Sequence, residues 1–490
     1  MHTQRCSGFV CLAIAASGWC SDSASGQMFD DSILGAPAHS NGRFGKSVAM
    51  DGDCVISGAP GPEELSGALT GGAYIHRRST SGVWTQETEL IEPTPALWDQ
   101  FGWSVAIRDE VAIVGAPLRD SCGVGVNCNV GSAFVYRFNT GNGWQFEQEI
   151  AASDPAFGDE FGFDVAIEGD LLAVSAPFDD DNGSTSGSVY VFRRNSLGLW
   201  TQRSKLISSD GQAQDFFGNS VAISDGLIVV GASGESSFGA SSGAGYVFVD
   251  LGGDNWVQQD KLVADDAFAG DQFGFDVAID GDRIVAGAPL SDASCAGFLC
   301  NGGTAYVFAQ QPDGGWSQET RLFADDTISS DFFGFGVGIA GPAVIASAVR
   351  EDDQGNSAGA AYIFRRNDAG IWEQRAKLTD PNGRAGDELG FSAAISGIRA
   401  VAGARLDDNG CGVNGAGVPF NCDTGAVSIW TLGSLGNPNI ADVNADGVVN
   451  GADLAALLTQ FGMDGPADLN GDGVVNGADL AILLTNWGAV

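Results

Sequence analysis

Short apolar runs separated by glycine-rich turns fill most of the chain, and one arrangement of them returns seven times. Its clearest copy is Asp271-Gln272-Phe273-Gly274-Phe275-Asp276-Val277-Ala278-Ile279, a turn at Gly281-Asp282, then Arg283-Ile284-Val285-Ala286-Gly287-Ala288-Pro289. A loop of variable length leads to Gly303-Thr304-Ala305-Tyr306-Val307-Phe308, and the unit closes on Trp316-Ser317-Gln318-Glu319-Thr320-Arg321-Leu322. The Phe-Gly step recurs at Phe44, Phe101, Phe161, Phe217, Phe273 and Phe333, and as Leu-Gly at Leu389. The Gly-Ala-Pro step begins 14 residues later each time, at Gly58, Gly115, Ser175, Gly231, Gly287, Ser347 and Gly403. Short runs of β-branched and aromatic residues bounded by Gly and Asp predict strands, and each unit holds four.

Four strands in each of seven units of 56 to 60 residues predict an all-β fold, a seven-bladed β-propeller. The fourth strand starts at a Trp and ends at a Leu, as in Trp84/Gln86/Leu90, Trp200/Gln202/Leu206, Trp256/Gln258/Leu262, Trp316/Gln318/Leu322 and Trp372/Gln374/Leu378, with Trp144/Phe146/Ile150 as a variant. Each such strand ends 11 residues before the next Phe-Gly. Counting back 11 residues from Phe44 reaches Ile33, while the last unit stops at Ile429-Trp430 without a fourth strand of its own. Residues 27–34 are therefore expected to complete the last blade, closing the ring and covering a strand edge that would otherwise lie unpaired.

These motifs resemble the FG-GAP repeat of integrin α-chain propellers, and more closely its bacterial secreted variants, over residues 27 to about 436. The resemblance implies the propeller fold and leaves the ligand open. Integrin-type calcium loops carry alternating acids, whereas here the loops read Asp179-Asp180-Asp181-Asn182-Gly183, Glu351-Asp352-Asp353-Gln354-Gly355 and Asp407-Asp408-Asn409-Gly410, with different spacing. Acids also recur three residues after the Pro position (Glu63, Asp120, Asp180, Asp292, Asp352, Asp408) and two before the aromatic (Asp99, Asp159, Asp215, Asp271, Asp331, Asp387). Short acids in such loops accept hydrogen bonds from backbone N–H groups. That role is expected here, with metal ligation as the alternative.

After Leu435 the repeat stops, and a different duplication begins. Asp442, Asn444, Asp446, Asn450 and Asp453 stand at positions 1, 3, 5, 9 and 12 of a loop with Gly447 at position 6. The loop recurs 26 residues on as Asp468, Asn470, Asp472, Asn476 and Asp479 with Gly473. Oxygen donors at these positions, with the carbonyls of Val448 and Val474 at position 7, are the ligand set of a calcium loop. An apolar helix is expected after each loop. Two loop–helix copies resemble a type I dockerin over residues 437–490. The resemblance implies a small α-helical module holding two calcium ions and a cohesin-like protein partner. The partner-binding positions implied are Gly451, Ala452, Gly477 and Ala478, where cellulosomal dockerins commonly carry hydroxyl residues.

A net charge of −39 and a pI near 4.1 argue against nucleic acid and anionic membrane as partners. Residues 1–26 read as an export signal: a basic start to Arg5, a mostly apolar stretch from Cys6 to Ala16, and small residues at Ala24 and Gly26. Such a chain is expected to be secreted or held at a cell surface. Three close cysteine pairs in one loop of the repeat, Cys122 with Cys128, Cys295 with Cys300 and Cys411 with Cys422, are then expected as disulfides, and Cys54 as a buried thiol. His39 and His76 are expected at the surface. There is no phosphate loop and no histidine-rich metal motif. The expectation is a non-catalytic recognition or adhesion protein whose propeller presents loops to a glycan or surface protein, tethered through the C-terminal module. A polysaccharide-active enzyme, or a component of a polysaccharide-degrading assembly, is the alternative.

Overall fold

The computed structural model describes residues 28–34, 42–61, 70–120, 128–294, 300–367, 369–408, 423–432, 451–462, 467 and 474–485. Its strands form seven antiparallel four-stranded sheets, the blades of a propeller. In the fifth blade Val277–Asp280, Arg283–Ala288, Thr304–Gln310 and Trp316–Leu322 lie side by side in chain order. Blades one to six follow the same order. In the seventh, Leu389–Ser396, Arg399–Ala404 and Ala426–Thr431 are joined by Met28–Leu34, which pairs antiparallel with Ala426–Thr431. The expected closing strand is therefore present.

The second strand of a blade is mostly apolar because both its faces are covered, as in the wholly buried Leu227–Ala232. The described core of the ring divides into seven clusters, one at each junction of neighbouring blades. Between the fourth and fifth blades, Val229, Val247 and Leu262 meet Phe273, Ala286 and Tyr306. The Phe273 ring stands edge-on to Tyr306 at 5.5 Å and to Phe308 at 5.7 Å, the geometry that aromatic quadrupoles favour. Phe161 and Phe217 repeat this contact in their own blades.

The repeated Phe-Gly step also presses its backbone on the blade before it. Phe273 forms a parallel bridge with Gly243, whose φ is +82°, and a Cβ at that glycine would stand 2.1 Å from the Phe273 carbonyl oxygen. Phe44 makes the equivalent bridge to Gly425, so the same contact joins the first blade to the seventh.

Two expectations about single residues divide. Cys54 is buried, and burial pushes its thiol up to about 12. His76 is not a surface residue: it lies inside the strand Gly72–Arg78, 5% exposed, with its ring 5.9 Å from Phe44. Its place is the third-strand position that Tyr136, Phe192 and Phe248 hold in later blades, which is why the fold buries it. Burial lowers its pKa to about 4. Towards the C-terminus the helices Gly451–Thr459 and Gly477–Thr485 share a small core of Leu457, Ala467, Val475 and Leu483, with Leu454 and Leu480 against it. No helix among the described residues is long and apolar enough to cross a membrane.

Candidate functional site

A cavity of about 510 Å³ is lined by residues from all seven blades and therefore lies on the axis of the ring. Its wall is built by one position of the repeat, the residue directly after Phe-Gly: Lys46, Trp103, Phe163, Asn219, Phe275, Phe335 and Phe391. With Phe178 and Phe216 the aromatic rings form two arcs. Trp103, Phe163, Phe178 and Phe216 follow one another at 5.7, 5.8 and 5.9 Å, and Phe275, Phe335 and Phe391 at 4.8 and 5.0 Å. All of these rings are only partly buried. Lys46 joins the arcs, with Nζ 3.8 Å from the Trp103 ring centre and 4.7 Å from that of Phe391. Asn219 closes the other gap by donating from Nδ2 to the carbonyls of Gly274 and Phe275.

Beneath the rings, the next position of the repeat links most blades to a neighbour, the sixth carrying Gly336 there. Ser47, Ser104 and Ser392 donate to the carbonyls of Gly102, Gly162 and Gly45 at 3.2, 2.9 and 3.0 Å. The third and fifth blades carry Asp164 and Asp276 instead. Asp276 accepts from Ser220 Oγ at 2.9 Å, from its neighbour Val277 N at 3.0 Å and from Val337 N at 2.7 Å, tying blades four, five and six. Asp164 accepts from Val165 N and from Val221 N of the fourth blade. Burial raises the pKa of Asp164 to about 7, with the charge of Asp276 adding to it, and burial raises Asp276 to about 6. The opposite end of the axis mixes apolar side chains such as Ile167, Ile279 and Ile339 with Arg108, Glu168 and Asp280.

The recurring loop acids do what short acids in loops are expected to do. Asp99, Asp159, Asp215, Asp271, Asp331 and Asp387 each accept from the backbone N–H three residues earlier, at Ala96, Ala156, Gln212, Phe268, Ile328 and Arg384. The acids after the Pro position clamp a different loop, the one between the second and third strands: Asp120 to Cys128 and Asn129, Asp180 to Thr185, Asp292 to Asn301, Asp352 to Ser357, Asp408 to Asp423. Glu63 lies outside the described residues.

Among the described residues, one acidic group is compact enough to hold a cation: Asp326, Glu351 and Asp353 bring ligand oxygens within 4.8 Å of one another. The chain supplies the cation itself, because Lys377 Nζ lies 2.6, 2.9 and 2.6 Å from these three carboxylates. Lys205 does the same among Asp154, Asp179 and Asp181, and Lys261 between Asp210 and Glu235. Burial works against the charge on Lys205, yet its hydrogen bonds to Asp181, Asp179 and Asp154 outweigh that and hold the ammonium above its ordinary range.

Of the expected calcium ligands, Val474 and Asn476 are described, side by side at the start of Gly477–Thr485, with Asn476 Nδ2 donating to the Val474 carbonyl at 2.7 Å. Asp453 and Asp479 fall in the first turns of the two helices, as do Ala452 and Ala478, and Gly451 and Gly477 begin them, both exposed. Asp442, Asn444, Asp446, Val448, Asn450, Asp468, Asn470 and Asp472 lie outside the described residues. The donor set, all of oxygen with one carbonyl per loop, suits a hard cation such as calcium. Cys128 and Cys300 are buried, and Cys122, Cys295, Cys411 and Cys422 lie outside the described residues.

The aromatic wall was not singled out from sequence. Its signal was there: five of the seven residues that follow Phe-Gly or Leu-Gly are aromatic, although nothing in strand formation requires it.

A family model of the FG-GAP repeat matches residues 84–136, 144–192, 200–248, 256–308, 316–364 and 372–417, together more than half of the chain. Among solved structures, a protein from Lactobacillus plantarum aligns at 15% identity over 69% of this chain and 86% of its own, with a TM-score of 0.41. A likeness that distant carries nothing about function. No curated protein matches the chain.

Proposed function

Since the chain belongs to the FG-GAP repeat family, we propose that it is a secreted, non-catalytic recognition protein that binds a glycan or protein ligand at the mouth of its axial cavity. The half-exposed aromatic wall carries this reading. Apolar ring faces above a few placed polar groups are what a binding cavity of this size needs. Asp164 and Asp276 are committed to N–H and hydroxyl donors of neighbouring blades, which favours a binding role over acid–base chemistry.

The rest of the chain supports an extracellular setting. Residues 1–26 supply the export signal, and Cys122–Cys128, Cys295–Cys300 and Cys411–Cys422 pair as disulfides. The C-terminal module is a dockerin that binds two calcium ions through the residues named above and attaches the propeller to a cohesin-like partner. Duplicated leucines in its core, Leu457 with Leu483 and Leu454 with Leu480, support two equivalent loop–helix halves.

The test is an oligosaccharide and surface-protein binding screen, followed by titration calorimetry on each hit with Trp103→Ala and Phe335→Ala. Both substitutions should weaken binding at least roughly tenfold. Phe157→Ala, in a loop and 76% exposed, should leave it unchanged. A ligand that binds all three variants as it binds the parent would place recognition elsewhere.

A further inference from the structure

We propose that the strand Met28–Leu34 is exchangeable, and that a second copy of this chain can supply it to the seventh blade. The outer strands of the third to sixth blades are held by four repeated devices, and those of the first two blades by the first two of them. A Trp packs at the start, with Trp84, Trp144, Trp200 and Trp316 buried. A Leu or Ile is buried at the end, at Leu90, Ile150, Leu206, Leu262, Leu322 and Leu378. A Gln two residues after the Trp accepts a backbone N–H from the preceding blade: Gln202 from Ser153, Gln258 from Ser209, Gln318 from Asp265, Gln374 from Asp325. A basic residue before the final Leu binds loop carboxylates, as Lys205, Lys261, Arg321 and Lys377 do.

Met28–Leu34 has none of these four in full. Phe29 stands at the Gln position and only half-buries itself, edge-on to Trp430 at 6.1 Å. Ile33, at the final Leu position, is also half-buried. Ser32 stands at the basic position, and its hydroxyl is buried with no hydrogen-bond partner. The bulge between Phe29 and Asp31 is the one every outer strand makes at this position, so the pairing itself is of the common kind. The described side-chain bond across the pair is Asp30 Oδ2 accepting from Thr431 Oγ1.

Elements with little buried apolar area and few side-chain anchors open first. When this strand leaves, Ala426–Thr431 becomes an unpaired edge of β-prone residues, a template for another strand. The register that edge is seen to accept is that of Met28–Leu34 itself, so an identical strand from a second copy fits without new contacts. Junctions between blades survive the exchange, because the Phe44–Gly425 bridge joins the first and seventh blades without this strand, and in the cluster there Phe44, Val427 and Ile429 are buried while Ile33 only packs against them from outside.

Two measurements on the full chain test this. A fluorescent peptide of residues 27–38 is incubated with the protein below its melting temperature, and bound label is followed by size-exclusion chromatography. Separately, Ser32→Cys/Ser428→Cys, which places cysteines at paired positions, is concentrated, incubated reduced, oxidised and run on a non-reducing gel. The peptide should be taken up, roughly tenfold faster by Phe29→Ala, and the double variant should yield a disulfide-linked dimer that rises with concentration. Oxidation before concentrating should abolish both peptide uptake and dimer. A parent and a Phe29→Ala variant that both exclude the peptide would overturn the exchange. Peptide uptake with only monomeric disulfide at every concentration would overturn the second copy as donor.

Discussion

Phe273 offers the sharpest test of how the ring is held. Its side chain is fully buried, edge-on to Tyr306 and Phe308, and shares a cluster with Leu262 and Val229 of the preceding blade. Phe273→Ala should therefore leave a cavity at a blade junction and cost about 4 kcal/mol. The chain carries its own control. In the seventh blade the same position is Leu389, 2% exposed and packed in the cluster that joins the sixth and seventh blades. Leucine is thus compatible with the junction geometry, and Phe273→Leu should cost only about 1–2 kcal/mol, the loss of ring area and of two edge contacts. Equilibrium urea unfolding of parent and both variants, followed by tryptophan fluorescence and by far-ultraviolet circular dichroism, gives the two differences. Coincident transitions by the two probes justify treating the ring as one cooperative unit. If alanine costs no more than leucine, the Phe-Gly aromatic does not fill packed space between blades and the account of the core is wrong.

Three more outcomes are expected. The raised pKa values of Asp164 and Asp276, about 7 and about 6 against an ordinary 3.8, mean the folded ring holds protons that the unfolded chain has released. Their contribution to stability is full below about 3.8 and is lost as pH rises through 6 to 7. Tm should therefore be higher at pH 5 than at pH 8, and the difference should shrink in Asp164→Asn/Asp276→Asn; an equal difference in that variant would assign the effect to the chain's overall negative charge. Removing calcium with a chelator should reduce the helical circular dichroism of the C-terminal module while leaving the propeller's melting transition in place, and calorimetry should count two ions on residues 27–490 and none on a chain ending at 436. Deleting residues 27–38 leaves Ala426–Thr431 with no strand to pair. It should lower Tm and broaden the transition of the whole ring, whereas an unchanged melt would show that the closing strand adds nothing to its stability.

Much of the fold was legible because a repeat states the same physical problem seven times. One Phe-Gly is weak, but a constant offset from it to Gly-Ala-Pro, to the Trp strand and to the next Phe-Gly locates each blade, and the missing member of the series pointed to the closing strand at Met28–Leu34. The loop acids were legible for the same reason, since a short acid in a loop has a local partner three residues away. The cavity wall was not, because its residues are about one blade apart in sequence and meet only when the ring closes. His76 misled for a related reason: a polar residue just after an apolar run is read as lying past the strand and exposed, but here it lies inside a third strand covered by neighbouring blades.

Local pattern and spacing thus determined what each blade is and how many there are, because strand alternation, turn glycines and nearest-neighbour hydrogen bonds act over a few residues. Closing the ring decided the rest. It brought Lys46 between Trp103 and Phe391, set Asp164 and Asp276 together over Ser220, and left the seventh blade completed by the one outer strand without the Trp, Gln and basic anchors. Those contacts join residues from different blades, and only the closed geometry carries them.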